Sequence, residues 1–319
     1  MSGFHFLSDA VLENLGLTQS EIADAIEDAL LAKTREEVWT APKSALLPGD
    51  GRYMMTTLCA SDNPQLTGVK AVTVSPRNPG RGLDAINGAI TLFDSETGLL
   101  KAVLGANWIT AVRTAGLSAV AARRLGNPQS ETIAFVGTGV QARSHLEAFR
   151  DIFPLKRIRA FGRGQANIGK LCAFAEKRGL EASAAASAQE ALEGADIVVT
   201  SVTLDYTIEP FLDAGWLKPG AFAAITDLGI PWLPDTMNAF GQVFVDDREQ
   251  EAASPKPMVD PALIKGDLTQ MVAGDVASSF DASRPACFIF RGLAIGDFAV
   301  AALAYEQAMK KGLGTLVEE

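Results

Sequence analysis

Apolar residues at Ile22, Ala25, Ile26, Ala29 and Leu30 recur at three- and four-residue spacing and predict an amphipathic helix over Thr18 to Arg35. Thr18 can cap its start, and Glu21, three residues on, stands at capping-box spacing. From about Val38 to Leu104 the pattern shortens into runs broken by Gly, Pro, Asn and Asp. Gly68 to Val74 and Gly88 to Asp94 read as strands, with a hairpin turn at Asp94-Ser95-Glu96-Thr97-Gly98 before Leu99 to Leu104. A helix follows over about Asn107 to Leu125, carrying Arg113 near its start and stopping at Gly126-Asn127-Pro128.

Strand and helix then alternate. The apolar run Thr132 to Val136 leads into Gly137-Thr138-Gly139-Val140-Gln141-Ala142, and Gln141 to Phe149 is helical. Arg157 to Gly162 reads as a strand and Ala166 to Arg178 as a helix. Ala195 to Val202, Ala221 to Thr226 and Gln242 to Val245 are further strands, and Ala294 to Lys311 is the last helix. Buried strands joined by helical crossovers predict an α/β fold with a Rossmann-type doubly wound parallel sheet over residues 127–293. Residues 1–126 form a separate α+β domain, joined by the C-terminal helix at about 294–319.

Composition narrows the picture. At 319 residues the chain is too long for one ordinary core and fits two domains. Its net charge of -10, with no basic cluster, argues against a nucleic-acid partner. The start of the chain lacks a basic stretch followed by an apolar run, and no window of some 18 residues is uninterruptedly apolar, so neither secretion nor a membrane is expected. Cys59, Cys172 and Cys287 form no metal spacing and no even disulfide set, which suits a reducing cytoplasm. His5 and His145 are the only histidines, which argues against a His-rich metal centre or a Ser-His-Asp triad. His145, in the helix after the glycine turn, is read as a surface or packing residue. Chemistry here must run on Lys, Arg, Asp and a cofactor.

The glycine turn points to that cofactor. Gly137 permits the tight bend, Gly139 lets the backbone approach a pyrophosphate, and Ala142 keeps the helix close to the sheet. The second strand of the motif ends at Gly162-Arg163-Gly164 with no Asp or Glu to accept from both ribose hydroxyls. Arg163 stands where a guanidinium could meet a 2'-phosphate, so NADP(H) is expected over NAD(H).

At this point the chain resembles the ornithine cyclodeaminase/mu-crystallin family along almost its whole length. The resemblance rests on Gly68-Val69-Lys70, Pro76-Arg77-Asn78, Leu92-Phe93-Asp94 with Thr97-Gly98 and, most specifically, Thr110-Ala111-Val112-Arg113-Thr114-Ala115. It continues through the glycine turn, Ala195-Asp196-Ile197-Val198-Val199-Thr200, Trp216 to Ala221, and Gly292-Leu293-Ala294-Ile295-Gly296-Asp297. The resemblance implies a homodimer whose first domains join their sheets into a shared barrel, with substrate in the cleft between domains, facing the nicotinamide. It makes residues 1–126 a substrate-binding and dimerisation domain. Thr110, Thr138, Val140, Gln141, Ser201, Val202 and Thr203 join the glycines and Arg163 as expected cofactor contacts. The family includes ornithine cyclodeaminases, archaeal alanine dehydrogenases, reductases of cyclic or open ketimino acids, and mu-crystallins.

Lys70 sits in an apolar strand, where an ammonium is costly without an anionic partner. The fork of Arg113 suits a bidentate carboxylate contact. By resemblance these two hold a substrate carboxylate, and Lys70 supplies the proton. Read structurally instead, Lys70 reaches a sheet edge and Arg113 pairs with an acid between domains.

The departures from the family pattern matter as well. Pro42-Lys43 replaces a Pro-Arg pair, and Lys43 keeps the charge on the substrate carboxylate without the fork. Asp227 lies close to the position of a cyclodeaminase catalytic aspartate, slightly early, and is a candidate either for acid-base work or for capping its loop. Phe288-Ile289-Phe290-Arg291 replaces a polar pair and suggests a more apolar pocket wall. The expected activity is reduction of a small α-imino acid, such as a cyclic ketimine carboxylate, by hydride transfer from NADPH to the C=N carbon. The alternatives are ornithine cyclodeamination to proline and ammonia with bound NAD, an alanine-type amino-acid dehydrogenase, and a catalytically weak NADPH-binding protein of the mu-crystallin kind.

Overall fold

The computed structural model describes residues 3–203 and 207–318. Contacts divide the chain into two units, one running up to Arg113 and resuming at Leu293, the other spanning Thr114–Gly292. The division falls inside a helix, whereas the sequence placed the domain boundary at that helix's end.

In chain order the first unit contains β1 (Gly3–Leu7), α1 (Asp9–Glu13), α2 (Gln19–Thr34), β2 (Val38–Leu46), β3 (Tyr53–Asp62), β4 (Gln65–Val74), β5 (Ile86–Asp94) and β6 (Leu100–Gly105). Next comes α3 (Ala106–Leu125), which crosses the division. The second unit continues with β7 (Thr132–Val136), α4 (Val140–Arg150), β8 (Arg157–Phe161), α5 (Gln165–Glu176), β9 (Glu181–Ala184), α6 (Ala188–Leu192) and β10 (Ile197–Thr200). It ends with β11 (Phe222–Ile225), β12 (Gln242–Val245), α7 (Arg248–Ala252), β13 (Ile264–Asp267), α8 (Leu268–Ala273) and β14 (Ala286–Ile289). The chain closes with α9 (Ala294–Lys311) and β15 (Thr315–Glu318), both in the first unit.

The start of α2 forms as its sequence dictates. The Thr18 hydroxyl accepts from the Glu21 amide, and the Glu21 carboxylate accepts from the Thr18 amide at 2.8 Å, a reciprocal cap that is worth about 1 kcal/mol. Its buried stripe is Ile22, Ala23, Ile26 and Leu30, with Ala25 and Ala29 at the margin. The first sheet has seven strands in the order β15-β1-β6-β5-β4-β3-β2, antiparallel except between β1 and β6. Asp94 shapes its β5–β6 hairpin by accepting from the amides of Glu96 and Thr97, and Gly98 takes a φ of +72° there. Along β4 the buried positions alternate as Leu66, Gly68, Lys70 and Val72, so a lysine occupies a core position of the sheet. Helix α9 packs against α2 and against β2–β5. It comes close because Gly68 has no side chain: a Cβ there would lie 3.0 Å from the Phe298 ring.

The second sheet has eight parallel strands in the order β13-β12-β14-β11-β10-β7-β8-β9. The chain winds outward from β7 to β8 and β9, then returns to lay β10 on the other side of β7. That reversal makes a topological switch point between β7 and β10, where open parallel sheets bind ligands at the carboxyl ends of their strands. Strand β10 is shorter than the expected Ala195 to Val202, and just before it the Asp196 carboxylate accepts from the Glu131 and Thr132 amides at 2.9 and 2.8 Å. Among the described residues no helix is long and apolar enough to cross a membrane.

Candidate functional site

The first unit gathers four charged side chains from four elements. Lys70 on β4 is 3% exposed and Arg113 on α3 is 8% exposed. Both reach one carboxylate, Asp297 in the first turn of α9. Lys70 Nζ donates to Asp297 Oδ1 at 2.6 Å. Arg113 Nε lies 2.8 Å from the same oxygen, an ion pair that lacks the alignment of a hydrogen bond. The Thr57 hydroxyl, on β3, makes a longer contact of 3.4 Å to Oδ2. Lys43 sits where β2 breaks register with β3 between Ala41 and Ser44, and its charge is felt by both Lys70 and Asp297.

The electrostatics follow from burial and proximity. Burial pushes the Lys70 ammonium down to about 8; Asp297 opposes that shift while Arg113 and Lys43 add to it. Burial pushes the Asp297 carboxyl up, but Arg113, Lys70 and Lys43 together outweigh it and hold the group below its ordinary value. Three cations around one carboxylate leave two formal positive charges (three less one). Such a cluster favours a second anion, and a substrate carboxylate has the right chemistry.

Lys70 therefore does not snorkel to a sheet edge, and the acid that pairs with Arg113 comes from its own unit. Asp297, which the sequence shows only within the motif Gly292 to Asp297, is the acid of this cluster. Its signal was a lone acid within Ala294 to Ala302, a stretch otherwise without charge.

In the second unit the glycine turn joins β7 to α4. Gly137 takes a φ of +96°, and a Cβ there would lie 2.4 Å from the Ser201 carbonyl oxygen, so only glycine fits. Its amide donates to Phe161 O at 2.9 Å, and the Ser201 amide donates to Val136 O at 2.8 Å. The turn and Ser201 thus line the two sides of the switch point. Gly139 is the N-cap residue of α4, makes no side-chain cap bond, and has nothing within 4 Å of where a Cβ would sit. Thr138 is buried and Val140 exposed, while Ala142 is fully buried and lets the helix close on the sheet. Gln141 Oε1 is shielded from solvent and, among the described residues, has no hydrogen-bond partner.

These features fit a dinucleotide: open amides at a helix start for the pyrophosphate, a bare glycine for its approach, and in Gln141 Oε1 an orphaned acceptor suited to a hydroxyl donor. Arg163 is exposed at the end of β8, just before Gly164, the N-cap residue of α5. Ser201 and Val202 are half-buried after β10 and Thr203 is exposed. Thr110 belongs to the first unit, one helical turn before Arg113.

Asp227 follows β11 and is 1% exposed. Its Oδ1 accepts from the Thr200 hydroxyl at 3.0 Å and its Oδ2 from the Val202 amide at 3.0 Å. Trp232 Nε1 donates to the same Thr200 hydroxyl at 3.3 Å. Burial raises the Asp227 carboxyl to about 6 against these donors. Geometrically it is an anchor for the chain leaving β10. The expected apolar pocket wall needs correcting: Phe288 and Ile289 have no exposed surface in β14, and Phe290 stacks on Phe288 at 4.8 Å. These side chains fill the sheet's core, and Arg291 turns to Glu251 at 2.8 Å. His145 takes the packing role, fully buried between Ser118 Oγ at 2.9 Å and Gln141 O at 2.8 Å; burial lowers its imidazole to about 4.

The family model of the ornithine cyclodeaminase/mu-crystallin family matches residues 6–312. Ketimine reductase mu-crystallin of Mus musculus is 33% identical over 241 residues, 74% of this chain and 74% of its own. The structure of Thermococcus litoralis Δ1-pyrroline-2-carboxylate reductase in complex with NADH and L-proline matches with a TM-score of 0.90 at 25% identity, covering 98% of this chain and 100% of that one. An archaeal alanine dehydrogenase dimer with bound NAD matches with a TM-score of 0.88, also at 25% identity, over 99% of each chain.

Proposed function

The chain belongs to the ornithine cyclodeaminase/mu-crystallin family, and on that premise we propose that it is a nicotinamide-dependent reductase of small α-imino acids. The observation that carries this reading is the buried cluster of Lys70, Arg113 and Asp297 with Lys43 beside it. Its excess positive charge suits the carboxylate of an imino acid, and relatives named ketimine reductase and Δ1-pyrroline-2-carboxylate reductase support the substrate class.

Arg113 and Lys43 bind and orient that carboxylate. Lys70 shares in holding it and keeps a proton on Nζ for the imine nitrogen. The dinucleotide, when bound at the glycine turn, supplies the hydride that reduces the C=N carbon; hydride and proton together convert the imine to an amine. Most of the rate gain then comes from position and charge stabilisation. Asp227 is given no proton step in this scheme, since both of its oxygens already accept from Thr200 and Val202. That also counts against ornithine cyclodeamination, which needs an acid for the second amine.

NADP(H) is the proposed cofactor, supported by Arg163 at the end of β8 and by the absence of an acid there. A homodimer is the proposed assembly. Trp39, Leu46, Met54 and Leu58 share the outward face of β2 and β3 and are exposed, an apolar strip that a second copy would cover. The test is to mix the protein with NADPH and a cyclic ketimine carboxylate. Oxidation of NADPH matched mole for mole by the cyclic amino acid supports the reading. No oxidation with any imino acid, alongside proline and ammonia from ornithine with catalytic NAD, refutes it.

A further inference from the structure

Asp297 is unlike the other charged groups of the site. It carries the wrong charge to bind a carboxylate, it is buried, and it sits on α9, which packs across β2–β5. Its Oδ1 gathers both Lys70 Nζ and Arg113 Nε, which draws the two cations to within 2.6 and 2.8 Å of one atom. An ammonium has three N–H bonds, and the contact with Asp297 takes one of them. Packing of the neighbouring residue helps to hold the carboxylate in place. Phe298, the next residue, is seated on the bare backbone of Gly68, two positions before Lys70 on the same strand.

We propose that Asp297 is the positioning residue of this site: it keeps Lys70 charged and in place as the proton donor and fixes Arg113 beside it, without touching substrate. The proposal rests on the imino-acid reductase reading. Proton balance is simple, since Nζ–H breaks as N–H forms on the imine nitrogen, and Lys70 is left neutral until solvent returns the proton. Asp297 stays ionised throughout.

The charged groups that bear on Lys70 come from α3, α9 and β2, while its β5 partner, Ile90, is apolar. Arg113 on α3 and Lys43 on β2 both oppose its charge, and Asp297 alone among these charged groups favours it. On β3, Thr57 is neutral and the buried Cys59 thiol is pushed up to about 12 by burial and by Asp297, so it stays protonated. Lys33 on α2 acts on Cys59. Removing the carboxylate therefore leaves Lys70 among cations.

The test is the pH profile of kcat for the imino acid in Asp297→Asn. Wild-type activity is expected to fall on the alkaline side as Lys70 loses its proton. In the variant that limb should move to lower pH by about 1–3 units, the span by which a neighbouring opposite charge shifts a group. NADPH affinity should be unchanged. A variant with uniformly reduced kcat and an unmoved limb overturns the proposal.

If Asp297→Asn does not fold, Asp297→Glu is read instead. Its carboxylate is retained but displaced, so limb position or KM must change; both identical to wild type overturns the proposal. Failure of the underlying reading is recognised separately, because wild-type protein would then reduce no imino acid at all.

Discussion

Alanine at Gly139 and, separately, at Gly137 pulls apart two demands that the glycine turn meets at once. At Gly139 the backbone is extended, with φ at -86°, and an added Cβ meets no protein atom within 4 Å. Alanine there meets no clash and restricts the unfolded chain, a gain of about 0.4–1 kcal/mol, but it caps α4 less well than glycine, so stability should stay within about 1 kcal/mol of wild type. The space it enters is the space the pyrophosphate needs. NADPH affinity should fall at least tenfold, or about 1.4 kcal/mol.

Gly137 is the opposite case. Its φ of +96° costs an alanine about 1–2 kcal/mol. Its Cβ would also press on the Ser201 carbonyl carbon and oxygen at 2.7 and 2.4 Å, backbone atoms that cannot give without moving the end of β10. A total near 3 kcal/mol should lower Tm on the order of 5 °C. The assay is thermal unfolding of both variants with and without NADPH, together with a fluorescence titration for Kd. Wild-type affinity in Gly139→Ala, or equal destabilisation by both substitutions, would refute the cradle.

Lys70→Met should bind NADPH like wild type and lose most turnover; turnover near wild type in a steady-state assay would remove the lysine from the chemistry. Arg163→Ala should raise KM for NADPH while leaving KM for NADH almost unchanged, and parallel changes in both would remove the 2'-phosphate contact. Asp227→Asn should gain on wild type as pH rises. The folded carboxyl, near 6, lies above its unfolded value, so its proton stabilises the fold at low pH and that contribution is lost as pH rises through 6. Between pH 5 and 7.5 the urea-unfolding difference should shift in the variant's favour by about 1 kcal/mol, and a pH-independent difference would count against it.

What could be read in advance depended on how local the determinants were. Helix α2 is written in a cap and a stripe within one segment, and the turn at Gly137 in a strand, two glycines and an alanine in direct succession. The first sheet's edge was not legible: β1 and β15 are short and bring the two ends of the chain together, Gly3 opposite Glu318. Asp297 lies 227 residues from Lys70 in sequence, and the packing of α9 over the first sheet, close at Gly68, makes them neighbours. Phe288 and Phe290 read as a pocket wall because an apolar run states burial without stating where. Asp227 was ambiguous for a related reason, since its two roles differ only in whether Thr200 and Val202 claim its oxygens.

The most direct measurement of the central claim follows the hydride itself. Wild-type protein is given NADPH deuterated at the transferring position of the nicotinamide and a cyclic ketimine carboxylate, and the product is analysed by mass spectrometry. The account requires one deuterium in each molecule of cyclic amino acid, at the carbon that bears the carboxylate. Product without deuterium, or no product while the cofactor binds normally, would contradict it.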